Sequence, residues 1–113
     1  VMPFIISGSI DICIIDVRWA GFEESLRIAN FCNMFNIKVA LHNSGSNLST
    51  MMSTHLGACI TNLDSIEYDV DESFEREKIF KNFVDINNGK IVLSDSIGWG
   101  AEINEEFISK YEQ

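Results

Sequence analysis

Three side chains of the types that exchange protons in catalysis each follow a short apolar segment of the sequence. Asp16 closes the run IDICIID, His42 directly follows KVAL, and Glu67 directly follows DSI. Histidine and carboxylates are frequent participants in general acid–base chemistry. Each residue also has a structural explanation, since Asp16 could cap a helix, His42 could lie in a loop and Glu67 could be a surface carboxylate. Their common placement after apolar segments favours a shared site.

The segments around these residues alternate between strand-like and helix-like patterns. Near-continuous β-branched runs favour strands buried on both faces of a parallel sheet, and apolar residues at helical spacing favour amphipathic helices. We predict strands at residues 10–17, 37–41 and 65–69, helices at 22–35 and 48–60, and a turn at 62–64. Ser46 or Asn47 should cap the second helix. The alternating order indicates an α/β fold with a parallel sheet.

The last third of the chain has a different, more charged character. A charged amphipathic stretch at residues 72–83 is followed by a turn at 87–89, a strand at 90–93, a glycine-rich corner at 97–100 and a terminal helix at 104–111. The length suits one modest domain and not two. We therefore predict a single segment, 1–113, in which residues 1–70 hold the three parallel strands and residues 71–113 hold the terminal helix and a return strand.

A parallel sheet with right-handed crossovers brings the C-terminal ends of its strands to one edge. Asp16, His42 and Glu67 should therefore meet there, at the edge where a (β/α) barrel assembles its catalytic residues. Trp19 and Asn43 follow the same strand ends and are candidates for lining a substrate pocket. Packing in the core or at an interface explains Trp99 and His55 better than catalysis or ligand binding does. Packing is also the more common explanation for Trp19.

Composition and charge narrow the classes of partner. The formal net charge is −9, from 17 acidic and 8 basic residues, and the basic residues form no run. Nucleic acid and anionic membrane surfaces are therefore not expected as partners, and no apolar run is long enough to span a bilayer. Cys13, Cys32 and Cys59 lie in apolar stretches without metal-ligand spacing. We expect a cytoplasmic protein whose reduced cysteines pack in the core.

Three motifs in chain order give the sequence a resemblance to a known enzyme family. DVRWAG begins at Asp16, ALHN ends at Asn43, and NLDSIEYD ends at Asp69. Together they resemble the mandelate racemase and muconate-lactonizing family of the enolase superfamily, and more narrowly its acid-sugar dehydratase-like branch. The resemblance spans nearly the whole chain. It implies a partial TIM-type (β/α) barrel, roughly strands six to eight with their helices, and a C-terminal segment that returns toward a capping domain.

The resemblance also implies a role for each member of the triplet. His42 would be the general base or acid that moves the proton α to a carboxylate, and Asp16 would orient and activate its imidazole. Glu67 would hydrogen-bond the enediolate, a role that requires a protonated side chain, hence burial or a neighbouring anion. The substrate would be a small carboxylate or an acid sugar, which is dehydrated or racemised. The full-length protein would be a homo-oligomer.

The metal implied by the family is not accounted for by this sequence. The family takes three carboxylate ligands for Mg²⁺ and a second base, a lysine, from earlier barrel strands. We therefore expect no metal site in this chain, Mg²⁺ ligands in an N-terminal part of a longer parent protein, and no activity from the 113 residues alone. The sequence departs from the family pattern at three places. Leu41 before the histidine would shift the loop without removing the base, and Ser96-Ile97 before the glycine corner concerns folding. Ser44-Gly45-Ser46 after the histidine keeps substrate specificity from carrying over.

Two other classes of protein are consistent with the same element order. A catalytically inactive remnant, or an interaction module that retains the barrel fold, is the main alternative to an enzyme fragment. A nucleotide-binding doubly wound domain would share the strand–helix order, but the loop after the first strand has Gly21 and no GxGxxG motif. Upstream sequence with carboxylates ending three successive strands would establish the enzyme.

Overall fold

The structure is a computed structural model that describes residues 1–70 and 78–110. A three-stranded parallel sheet carries two long helices and is followed by a small hairpin and a short helix. The strands are β1 (Ile12–Ile15), β2 (Lys38–Leu41), β3 (Leu63–Ile66), β4 (Asp85–Asn87) and β5 (Lys90–Val92). The helices are α1 (Met2–Ile6), α2 (Val17–Ala20), α3 (Phe22–Met34), α4 (Asn47–Cys59) and α5 (Glu105–Ile108).

The parallel sheet has the strand order β1-β2-β3, so each strand pairs with the next one in the chain. Ile15 lies opposite Leu41, and Leu41 lies opposite Ile66. The three strands therefore end in line at one edge. The predicted α/β order and the shared edge are confirmed, and the predicted second helix is capped by Ser46, whose side chain accepts the N–H of Ser49.

One face of the sheet is packed and the other is open. Alternate residues of β1 and β2 face the helices and are buried, whereas Ile12 and Ile14 on the opposite face of β1 are 46% and 63% exposed. Burying a Val or Leu side chain contributes roughly 1.5–3 kcal/mol, so the covered face supplies most of the stability of the sheet. The core cluster contains Cys13, Ile15, Val17, Ala29, Cys32, Val39, Leu41 and Leu56.

The third strand begins two residues earlier than the sequence predicts. The predicted turn at 62–64 is wrong, because residues 63 and 64 already belong to β3. Just before the strand, the side-chain amide of Asn62 donates to the carbonyls of Ala29 and Ile37. Leu63 and Ile66 both face α4, since the pairing with β2 shifts register after Val39. A strand over 65–69 would have missed this contact. The strand also ends three residues earlier than predicted, at Ile66, so Glu67 directly follows it instead of lying within it.

The first strand ends earlier than predicted. Ile15 is its last residue, and Asp16 caps α2 by accepting the N–H of Arg18 at 2.8 Å. Val17, predicted as the end of the strand, is instead the buried first residue of α2. The helix-cap explanation for Asp16 is therefore confirmed, and it does not compete with a functional one because the other carboxylate oxygen remains available.

The C-terminal part departs most from the sequence prediction. The predicted turn at 87–89 is confirmed within a β4–β5 hairpin, where Asn88 and Gly89 have φ of 51° and 72°, the positive values of a type I′ turn. Polar β4 was not predicted. The terminal helix is shorter than the predicted 104–111, and Asn104 is its cap. Residue 111 lies outside the described residues.

The predicted amphipathic stretch at 72–83 is described only from residue 78 onward, since residues 72–77 lie outside the described residues. Within the described part, Phe80 forms an antiparallel bridge with Ile103.

The cysteines occupy two environments. Cys13 and Cys32 are buried in the core as predicted, but Cys59 is exposed at the end of α4, so the prediction of a core position for it is wrong. Ala58 beside it is exposed as well, whereas Ile60 after it is buried. Among the described residues no helix has the length and apolar character needed to cross a membrane.

Candidate functional site

The sheet itself brings the three acid–base residues together. The N–H of His42 donates to the carbonyl of Ile15 at 2.8 Å, and the N–H of Glu67 donates to the carbonyl of Leu41 at 2.9 Å. These bonds extend the β1–β2 and β2–β3 ladders by one step. The residue after each strand is thus fixed beside the residue after its neighbour, and Asp16, His42 and Glu67 stand in a row.

Asp16 binds one side of the imidazole. Its Oδ2 lies 3.0 Å from Nδ1 of His42, and its side chain is 13% exposed. The pKa of Asp16 is lowered to about 2, chiefly by the side-chain hydrogen bond from Arg18, which outweighs the opposing effect of burial. An ionised carboxylate only accepts hydrogen bonds. Nδ1 of His42 therefore carries the hydrogen, and in the neutral ring Nε2 has a free lone pair.

Glu67 lies on the other side of the imidazole. Its Oε2 is 3.7 Å from Nε2 of His42, which is too long for a hydrogen bond, and it accepts the backbone N–H of Asn43 at 3.3 Å. The Glu67 side chain is 48% exposed. The described residues therefore do not supply the burial that the implied acid role of Glu67 requires, and that role stays a prediction.

Asn43 fastens the loop after β2 to the start of α4. Its side chain is 2% exposed; the amide nitrogen donates to Thr50 Oγ1 at 2.6 Å and to the Glu67 carbonyl at 3.2 Å, and the amide oxygen accepts from Ser49 Oγ at 2.5 Å. The side chain thus points into the protein and positions its neighbours. That Asn43 lines a substrate pocket stays a prediction. Because the side chain points inward, the main chain of Asn43 would have to make the contact with the substrate.

The two tryptophans differ in their surroundings. Trp19 is 87% exposed on α2, beside Asp16, so it is not a packing anchor within the described part of the chain, and its place in a substrate pocket stays a prediction. Trp99 contacts Phe22 with ring centroids 5.2 Å apart and the ring planes tilted by 50°, and it meets His55 in an edge contact with centroids 5.4 Å apart. Packing of Trp99 and His55 is confirmed.

Sequence reasoning missed Arg18, which contacts the site more extensively than the predicted pocket residues do. Its guanidinium pairs with Asp16, Nη2 to Oδ2 at 2.8 Å and Nε to Oδ1 at 3.2 Å, and its Nη1 donates to the carbonyl of Ser44. Arg18 is part of the DVRWAG motif, but the resemblance implied no role for it. A guanidinium two residues beyond a strand-end carboxylate was the available signal.

A metal site is not formed by the described residues. Within residues 1–70 and 78–110, no group of three or more His, Cys, Asp or Glu side chains could hold an ion. These residues therefore do not fit the three-carboxylate set implied for Mg²⁺. A cavity of about 370 Å³ opens between α4 and the β4–β5 hairpin, lined by Met51, His55, Val84, Val92 and Trp99 among others, and it contains none of the triplet.

Comparison with known proteins gives consistent matches along the chain. The family described as enolase C-terminal domain-like matches residues 1–107. Arabinonate dehydratase of Saccharolobus solfataricus is 30% identical over 104 residues, which are 91% of this chain and 28% of that protein. D-xylonate dehydratase of Haloferax volcanii is 28% identical over 94 residues, which are 83% of this chain and 23% of that protein.

A solved structure agrees with these sequence matches. A protein from Burkholderia xenovorans strain LB400, named as a candidate L-alanine-DL-glutamate epimerase, has a TM-score of 0.90 and 32% identity; the match covers 96% of this chain and 28% of that one. The same protein has been solved bound to magnesium and fumarate. The chain thus spans about a quarter of the length of the relatives that it matches, from 23% to 28%.

Proposed function

Because the chain belongs to the enolase C-terminal domain-like family, we propose that it is the part of a larger enzyme that carries the base for proton abstraction α to a carboxylate. One observation supports this most directly: His42 stands between Asp16 and Glu67, with Nδ1 bound to a carboxylate and Nε2 unengaged at 3.7 Å from the next one. A base held in this tautomer needs no rearrangement before it accepts a proton.

The proton-transfer step is derived from the geometry of the dyad. Nε2 of His42 takes the α-proton, and the positive charge that develops on the ring faces the carboxylate of Asp16, which stabilises it. Glu67 is near enough to the accepting nitrogen to contact the substrate carboxylate at the same time. Both side chains of this pair are partly exposed, 40% and 48%, so the substrate can reach them from the open edge.

We propose an acid sugar as the substrate and dehydration as the outcome. This is supported by the two relatives, which are named as dehydratases of arabinonate and of D-xylonate. Racemisation begins with the same proton abstraction and differs only in the fate of the enediolate. The proposal includes Mg²⁺, which would stabilise the developing enediolate and is bound in one structural neighbour. Its ligands would lie outside residues 1–70 and 78–110, which form no such group.

The experiment that tests the proposal uses a fusion in which this chain replaces the matching segment of arabinonate dehydratase. Exchange of the substrate α-proton with deuterium from D₂O is followed by NMR, and loss of water is assayed separately. Exchange reports the abstraction step when the enediolate is re-protonated, and loss of water reports the same step when elimination follows it. The isolated 113-residue chain is assayed in parallel and should be inactive, while the fusion should be active and inhibited by EDTA.

His42→Asn in the fusion should lower the exchange rate by about 10²-fold or more, the usual contribution of a positioned base. His55→Asn is the matched control, because His55 is the other histidine of the chain and packs on Trp99; it should retain exchange. Exchange that survives His42→Asn would refute the proposed base. A folded fusion that neither exchanges nor eliminates would support the inactive remnant instead.

A further inference from the structure

Arg18 holds the carboxylate of Asp16 through three hydrogen bonds. Its backbone N–H and its Nε–H both donate to Oδ1, at 2.8 and 3.2 Å, and Nη2 donates to Oδ2 at 2.8 Å. Oδ2 is the same oxygen that binds Nδ1 of His42 at 3.0 Å. The carboxylate therefore cannot rotate away from His42 without breaking charge-assisted bonds to Arg18.

The same guanidinium also holds the loop after β2. Nη1 of Arg18 donates to the carbonyl of Ser44, 26 residues later, and Nη2 lies 3.5 Å from Ser44 Oγ. Ser44 is two residues beyond His42. Arg18 thus joins the end of β1 to the loop after β2, and these two segments carry the two members of the dyad. An ordinary surface ion pair is exposed and joins only its two side chains. Arg18 differs, because its side chain is only 34% exposed and it also contacts a loop far along the chain.

We infer that Arg18 is a positioning residue for His42: it fixes the Asp16 carboxylate and the His42 loop together, so that the ring hydrogen stays on Nδ1 and Nε2 stays free. The consequence for proton transfer rests on the proposed function, but the arrangement of the ring does not. Two further observations support the inference. The side-chain hydrogen bond from Arg18 is the largest cause of the lowered pKa of Asp16, and the pKa of Arg18 is raised in return.

A planar guanidinium suits this task and an ammonium does not. The contacts need donors in a fork that spans two carboxylate oxygens and a carbonyl at once. A lysine at position 18 would keep the charge but could satisfy only part of this set. Arg18→Lys therefore separates the geometric role from the charge, and Arg18→Met removes both.

The first readout needs no activity. Histidine ¹⁵N NMR reports the tautomer of each ring, and the chain has only two histidines, His42 and His55, so His55 serves as an internal reference. Arg18→Met should shift the Nδ1 and Nε2 resonances of His42 toward a mixture of tautomers, and Arg18→Lys should give an intermediate result. Arg27→Met is the matched control, since Arg27 pairs with Glu23 on the exposed surface of α3; it should leave His42 unchanged.

The second readout is α-proton exchange in the fusion with arabinonate dehydratase. Arg18→Met should lower kcat about 10-fold, as misplacement of a catalytic group does, with little change in KM, and Arg18→Met combined with Asp16→Asn should equal Asp16→Asn alone. Unchanged His42 resonances in Arg18→Met, or additive effects of the two substitutions, would overturn the inference. If Arg18→Met alters the His42 resonances but the unsubstituted fusion shows no exchange, Arg18 remains a positioning residue and the proposed function is rejected.

Discussion

Nδ1 of His42 lies 3.0 Å from Oδ2 of Asp16, although 26 residues separate them in the chain. The pair exists because the N–H of His42 continues the β1–β2 ladder onto the carbonyl of Ile15. A slip of one residue between the strands would turn His42 toward the other face of the sheet. The dyad is therefore a consequence of strand register, and the buried face of the sheet is what fixes that register.

Asp16 should make the stability of the chain sensitive to acid. Its pKa is about 2 in the folded chain against 3.8 as a reference, so its stabilising contribution is fully present above about pH 4 and is lost as the pH falls toward 2. A pKa difference of nearly two units corresponds to about 2 kcal/mol in the free energy of unfolding. Urea unfolding at a series of pH values should show a shallower acid loss for Asp16→Asn. Asp11→Asn, at an exposed position, is the control, and an identical slope in Asp16→Asn and the unsubstituted chain would contradict the prediction.

Asn43→Ala should lower the free energy of unfolding by about 1–3 kcal/mol, because it removes three hydrogen bonds of a buried side chain, which link it to Ser49, Thr50 and the Glu67 carbonyl. Chemical denaturation provides the measurement. Asn30→Ala, on the exposed surface of α3, should change stability by less than about 0.5 kcal/mol. Equal effects of the two substitutions would show that Asn43 does not fasten the loop.

The three cysteines should react with a thiol reagent in two phases. Cys59 is exposed and should react first, whereas Cys13 and Cys32 are buried. The pKa of Cys32 is raised to about 11, mainly by burial, so little thiolate is present near neutral pH. A colorimetric assay should therefore count one fast thiol in the folded chain and three in denaturant. Cys59→Ser should abolish the fast phase, and a fast phase that persists would place another cysteine at the surface.

Gly57→Ala should destabilise the chain despite the better helix propensity of alanine. A Cβ at this position of α4 would lie 3.1 Å from both Leu63 and Ile66 of β3, and overpacking of this kind costs about 1–3 kcal/mol against a helix gain of about 1 kcal/mol. Thermal unfolding is the measurement. Ile66→Val removes the nearby Cδ1 and should recover part of the loss. A Gly57→Ala chain that is more stable than the parent would contradict the prediction and would show that the side chains of Leu63 and Ile66 move to make room.

The sequence alone determined the order of the three parallel strands and the two long helices, and it placed Asp16, His42 and Glu67 near the strand ends. Hydrophobic periodicity is a local property, so it indicated three parallel strands and two helices, and the motifs around Asp16, His42 and Glu67 pointed to a strand-end site. The boundaries of β1 and β3 were less accurate. They depend on the Asp16 cap and on contacts of Asn62 with distant carbonyls, and neither appears in a local pattern.

Tertiary structure decided which neighbour each of these side chains has. The sequence placed Asn43 as a possible pocket residue and passed over Arg18, because a side chain's direction depends on the pairing of segments far apart in the chain. Only the folded sheet shows that Asn43 turns inward onto α4, and that Arg18 reaches Asp16 and Ser44 at once. Residue type and spacing specify which groups reach the edge; register and packing specify which atoms meet there.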